Sequence, residues 1–109
     1  MSKICEKDWK IVRTMKNDAL DLACQRIIEK LSKIIASKKK GSHVRYLELW
    51  NLLKAEDKNI ALMFDDMKRS SAFLKLARWR FNNLITDSDL ESFSPETFKI
   101  VEALLETWR

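Results

Sequence analysis

The side chains that most often do chemistry are scattered along this sequence. His43 is the one histidine in 109 residues, and the cysteines Cys5 and Cys24 lack both a CxxC spacing and a neighbouring histidine. The adjacent carboxylates Asp65 and Asp66 would point about 100° apart on a helix, so they would not share one acid–base or metal site. A chain with one glycine cannot build a glycine-rich phosphate loop. We therefore predict that the protein is not an enzyme and carries no catalytic, metal or cofactor site.

Basic residues form the pattern that best suits a ligand. Three of them follow each other at i, i+4 and i+7 and would share one helix face that leads toward a run of three lysines. Further on, the segment KLARWRF at 75–81 alternates basic residues with aromatic ones, which could contact phosphates and stack on bases. This pattern makes a nucleic-acid-binding accessory protein the alternative function. Its candidate residues are Arg26, Lys30, Lys33, Lys38, Lys39, Lys40, Arg78 and Arg80.

The segment KKKGS at 38–42 also has a purely structural interpretation, which we favour. Lysines in the last turn of a helix offset the negative end of its dipole. Gly41 then stands where a left-handed residue often ends a helix, and Ser42 can cap the next one.

Composition indicates an all-α fold. The chain is 46% hydrophobic and 34% charged, with one glycine and one proline, so tight turns are few and a β-rich fold with many of them is not expected. A length of 109 residues indicates a single domain, 1–109. The net charge of +5 is uneven, with a basic segment 1–85 and an acidic segment 86–109. This asymmetry suits a polyanion partner, an acidic tail folded on a basic helix, or a second copy of the chain.

Hydrophobic periodicity predicts a single-domain helical bundle of five to six helices with one long N-terminal helix. That first helix would span 6–38 and measure about 45 Å, whereas a compact chain of this length has a radius of gyration of about 13 Å. Part of it must therefore overhang, bend or be covered by a partner. The other predicted helices are 43–55, 58–69, 71–85, one turn near 86–91, and 95–108.

Capping signals suggest where these helices begin. Asp57 is a plausible cap after the polar run 56–59, and the pair Ser70–Ser71 favours a break, although 58–69 and 71–85 could be one helix. Ser88 and Glu91 have the capping-box spacing. The clearest start is the segment SPE at 94–96, where serine caps and proline takes the first helical position.

The overhanging helix favours an interaction with protein. Four tryptophans and four methionines are many for this length, and both residue types are enriched at interfaces. We predict a protein–protein interaction or self-association module and favour a homodimer over a monomer. The candidate self-association residues lie in the N-terminal half of the long helix: Trp9, Met15, Leu20 and Leu22.

The remaining expectations concern location and ligands. The first residues lack the apolar stretch of a signal peptide, and no run is long enough to span a membrane, so we expect a cytoplasmic protein. Cys5 and Cys24 would stand about 28 Å apart on one helix, which leaves both thiols free. We expect no membrane partner and no small-molecule ligand.

Overall fold

A computed structural model describes residues 3–109, and within that range the chain forms five α-helices and no strand. The all-α class, the helix count and the long N-terminal helix are thereby confirmed. The helices are α1 Glu6–Ala36, α2 Ser42–Phe64, α3 Ala72–Phe81, α4 Asp87–Leu90 and α5 Pro95–Trp108, with a 3-10 turn Arg69–Ser71 before α3.

The hydrophobic core surrounds α3. Leu76, Ala77 and Trp79 are fully buried on this helix, because its apolar residues face α1, the end of α2 and α5. The Trp79 ring stacks on Phe64 with 5.5 Å between centroids, and its Nε1 donates to the Met63 carbonyl at 2.9 Å. All residues that are buried lie in 3–27 or 63–109, and we call these two segments together the body.

A buried carboxylate joins the start of α1 to the start of α5. Asp8 is fully buried and accepts hydrogen bonds of 2.6 Å from the Ser94 and Thr97 hydroxyls and of 3.2 Å from the Ser94 amide. Burial by itself would raise the pKa of Asp8, but these hydrogen bonds outweigh it and lower the pKa below its ordinary value. Ser94 caps α5 and Pro95 occupies its first turn, which confirms the predicted start.

Three cationic side chains donate hydrogen bonds to backbone carbonyls in the body or directly next to it. The Arg26 guanidinium donates to the Asn82 and Asn83 carbonyls at 2.9 and 2.8 Å, where α3 ends. Lys75 Nζ donates to the carbonyl of Leu62 at 2.7 Å, near the end of α2. Arg69 donates in the same way to the carbonyl of Ile4 at 2.8 Å. Helix C-termini leave carbonyls without intrahelical partners, and cations are favourable there.

Helix α2 corrects one predicted boundary. The polar run 56–59 lies inside this helix, so the predicted break at Asp57 is wrong. The run contains neither glycine nor proline, and Ile60 and Met63 continue the apolar side of the helix beyond it. The break before α3 is confirmed, but it begins earlier than predicted, at Asp65.

Two predicted caps also differ from the structure. Gly41 has φ −65° and ψ 162°, an extended conformation, and it precedes α2 as its N-cap residue, whereas Ser42 is the first helical residue. The lysines 38–40 follow the end of α1 instead of forming its last turn. The capping box of α4 is formed by Thr86 and Asp89, two residues before the predicted serine and glutamate.

The molecule is elongated because α1 and α2 extend beyond the body. Its dimensions are 52 × 26 × 24 Å and its radius of gyration is 16.8 Å, against about 13 Å for a compact chain of this length. Not one residue between Ile27 and Met63, a segment described throughout, is buried. No helix within 3–109 combines the length and apolar character needed to cross a bilayer.

Candidate protein-interaction surface

The projecting part of the molecule is an antiparallel pair of helices. We define the distal hairpin as residues 28–53, which include the end of α1, the connection 37–41 and the first half of α2. The Arg45 guanidinium donates to the Ile35 carbonyl at 2.8 Å and so satisfies the end of α1. Lys40 Nζ lies 2.6 Å from a carboxylate oxygen of Glu48. Polar contacts therefore hold the hairpin closed without a buried core.

Apolar residues form two rows on one side of the hairpin. On α1 the residues 28, 31 and 35 follow each other at i, i+3 and i+7, and on α2 the residues 46, 49, 50 and 53 repeat at the same helical spacing. Most of these side chains line a shared groove of about 270 Å³ between the two helices. We call this surface the hairpin face. It consists of Ile28, Leu31, Ile35, Tyr46, Leu49, Trp50 and Leu53.

The hairpin face is open to solvent. Five of its residues are between 45% and 64% exposed, and Leu31 and Leu49 are half-buried. Seven of the ten large apolar side chains that are exposed within residues 3–109 belong to the distal hairpin. Soluble proteins seldom leave apolar side chains clustered in this way unless another molecule covers them.

The two aromatic residues of the face have polar neighbours at its edge. The His43 ring stacks beside Tyr46 with 6.5 Å between centroids, and Lys54 Nζ lies 6.0 Å from the centre of the Trp50 ring. Such rings at the centre of an interface, with polar groups around them, are typical of residues that dominate binding energy. The two half-exposed rings alone leave on the order of 200 Å² of apolar surface in water.

The four residues predicted for self-association lie elsewhere. Trp9, Met15, Leu20 and Leu22 are partly buried and pack against the core of the body. The overhang deduced from the length of α1 is present, but it is the C-terminal part of the helix that projects. Ile28 and Ile35, which widen the apolar stripe there, and the row on α2 were the sequence signals for this face.

Five of the eight basic residues proposed for nucleic acid are already engaged in the fold. Arg26 caps α3, as described above, and the other four contact acidic or aromatic side chains. Lys30 lies 3.6 Å from Glu56, Lys40 lies 2.6 Å from Glu48, Arg80 lies 2.7 Å from Asp87, and the Arg78 guanidinium is 5.7 Å from the centre of the Trp108 ring.

The Arg80 contact with Asp87 affects the pKa of both partners. Its hydrogen bond to Asp87 holds the pKa of that carboxyl below the ordinary value and raises the pKa of the guanidinium. Lys33, Lys38 and Lys39 are exposed, have no ion pair within residues 3–109, and lie on the distal hairpin. Binding of nucleic acid stays a prediction, with a smaller free basic surface than the sequence indicates.

Other parts of the fold are weaker candidates for a functional site. A cleft of about 130 Å³ lies where the hairpin meets the body, but its charged residues Arg26, Lys30 and Glu56 contact other protein groups. Within residues 3–109, no three histidine, cysteine or acidic side chains group closely enough to hold a metal ion.

Comparisons of the chain with protein-family models, with curated protein sequences and with solved structures find no significant match.

Proposed function

We propose that this protein is a non-catalytic self-association module, in which the hairpin face of one copy packs on the hairpin face of a second. One observation carries the proposal: seven of the ten exposed large apolar side chains of residues 3–109 lie on a hairpin that contributes nothing to the core of the body. Burial of apolar surface stabilises an association by about 25 cal/mol per Å² before the cost of binding is subtracted.

The shape of the face supports a second copy as its occupant. Two antiparallel helices with a row of apolar residues on each are half of a four-helix bundle. A second identical pair would bring two further rows, and side chains of one copy would enter the groove of the other. Trp50 stands beside that groove and is large enough to fill part of it in the opposite copy.

The test is the mass of the protein in solution as a function of concentration. Wild-type protein is compared with the double variant Trp50→Gln, Leu53→Gln by sedimentation velocity and light scattering. The matched control is Leu62→Gln, Leu74→Gln, because both leucines are exposed and lie off the hairpin face. All four substitutions exchange an exposed apolar side chain for a neutral polar one.

We expect the wild type and the control to form dimers as concentration rises and the hairpin variant to stay monomeric. A dimer that the hairpin variant retains would contradict the proposal, since the copies would then meet elsewhere. A wild type that is monomeric even at millimolar concentration would also contradict it. In that case binding of the wild type, but not of the variant, to anionic vesicles would indicate a membrane surface as the occupant.

A further inference from the structure

Charged residues stand at both ends of the hairpin face. On α1, Asp21, Ile28 and Ile35 follow each other at i, i+7 and i+14, so the aspartate continues the apolar row toward the body. On α2, Asp57 continues the row of Tyr46, Trp50 and Leu53 in the same direction. Both aspartates are exposed and neither is in an ion pair within residues 3–109. The end of the face near the body therefore carries two exposed carboxylates.

The opposite end of the face carries positive charge. Lys38 and Lys39 lie in the connection between α1 and α2, at the tip of the hairpin, and both are exposed. Lys40 stands beside them but is held by Glu48. The tip and the acidic end are thus separate charged regions with the apolar rows between them.

Lys38 and Asp57 lie at similar distances from the middle of the face, which is near Leu31 and Trp50, and Asp21 lies about 5 Å farther out. Asp57 is seven residues from Trp50, about 10 Å along a helix, and Asp21 is ten residues from Leu31, about 15 Å. Lys38 is seven residues from Leu31 on the other side, which spans about 10 Å or slightly more, since α1 ends before it.

This spacing distinguishes two symmetric ways of pairing the hairpins. If two copies point the same way, lysines lie against lysines and aspartates against aspartates, which is unfavourable at both ends. If they point in opposite ways about a two-fold axis through the middle of the face, each lysine tip lies over the aspartates of the other copy. An isologous interface of this kind repeats each favourable contact twice.

We infer that two copies of the chain pair antiparallel through the hairpin face, with Lys38 and Lys39 of each against Asp21 and Asp57 of the other. This inference rests on the proposed self-association and adds its orientation and register. The apolar rows supply most of the affinity, while the charged ends select the antiparallel arrangement over the parallel one.

Charge reversal tests the orientation. The tip variant is Lys38→Glu, Lys39→Glu, the base variant is Asp21→Lys, Asp57→Lys, and a third chain carries all four changes. A control, Lys7→Glu, Lys99→Glu, makes the same change in net charge as the tip variant, on exposed residues of the body. The dissociation constant of each homodimer is measured by sedimentation at low and at high salt.

We expect the tip and base variants each to bind themselves roughly tenfold more weakly than wild type at low salt, because exposed ion pairs contribute individually little but several change together. The fourfold variant should regain the wild-type dissociation constant, because its reversed charges again face opposite charges. At about 1 M salt the differences should nearly vanish, since the screening length falls to about 3 Å. The control should match wild type throughout.

The results of these measurements distinguish antiparallel pairing from self-association in general. A wild-type dimer whose dissociation constant is unchanged in the tip variant would overturn the antiparallel contact and leave self-association standing. A fourfold variant that does not regain the wild-type dissociation constant would also overturn the pairing of these ends. A wild type that does not dimerise would overturn both.

Discussion

The body and the distal hairpin are built from similar residues but use them differently. In the body, apolar side chains meet around α3 and cations satisfy helix ends, so the segment is stabilised by its own contacts. In the distal hairpin, the same kinds of side chain form an amphipathic pair of helices with nothing buried. The comparison shows that helical periodicity identifies an apolar face but does not say whether the same chain or another molecule covers it.

The largest expected difference between the body and the distal hairpin is the effect on stability of replacing a tryptophan in each. Trp79→Ala should lower the free energy of unfolding by about 3–5 kcal/mol, because it leaves a cavity in the core and removes the bond to the Met63 carbonyl. Trp50→Ala should change the same quantity by less than about 0.5 kcal/mol in the monomer, since its ring is half exposed. Urea unfolding at low protein concentration measures both values.

Similar losses of unfolding free energy for the two variants at low concentration would contradict this expected difference. They would mean that Trp50 packs within the monomer and that the hairpin face is part of its core. Repeating the Trp50→Ala measurement at high concentration sharpens the contrast, because only there should the loss of the dimer contact reduce apparent stability.

A smaller effect is expected at the buried carboxylate of the body. Asp8→Asn should cost about 2 kcal/mol, because a charged acceptor of hydrogen bonds from Ser94 and Thr97 becomes a neutral amide with two donors of its own. Thermal or urea unfolding at neutral pH measures this loss. An exposed substitution on α2, Asp57→Asn, is the matched control and should change monomer stability little.

The same residue should make the body sensitive to acid. The pKa of Asp8 is lower in the folded chain than in the unfolded chain, so its contribution is complete above the ordinary aspartate pKa of about 3.9 and is lost as pH falls through the lower folded value. Asp87, whose pKa is also lowered, contributes in the same direction. Unfolding measured from pH 6 to pH 2 should show a shallower decline for Asp8→Asn than for wild type, and equal slopes would contradict this assignment.

The smallest expected effect concerns the turn of the hairpin. Gly41→Ser should stabilise the chain by about 0.5 kcal/mol, because a serine at an extended N-cap position can accept a helix amide and restricts the unfolded chain. A Cβ at Gly41 would have no atom within 4 Å. Destabilisation by this variant would indicate instead the left-handed conformation that the sequence suggested.

Sequence alone identifies those features that depend on nearby residues. The capped start of α5 at Ser94 and Pro95 and the length of α1 were predicted correctly because local backbone chemistry determines them. The continuity of α2 was missed because a polar run on the exposed side of a helix resembles a break. Glu56, one of the two acidic residues of this run, lies 3.6 Å from Lys30, a contact between distant parts of the chain.

The role of the basic residues also could not be predicted from local sequence signals. Arg26 satisfies carbonyls 56 and 57 residues away, which periodicity cannot reveal. Likewise, the self-association residues were sought on the correct helix but in its first half. Which half projects depends on how α3 and α5 pack against α1, and therefore on the tertiary fold.

Amide hydrogen exchange at two protein concentrations tests whether a second copy covers the hairpin face, because it reports where copies meet as well as whether they do. We predict that protection at 28–35 and 46–53 rises with concentration, while protection at 72–81 and 95–108 stays the same. Protection at the hairpin that does not depend on concentration would contradict the claim that a second copy covers this face.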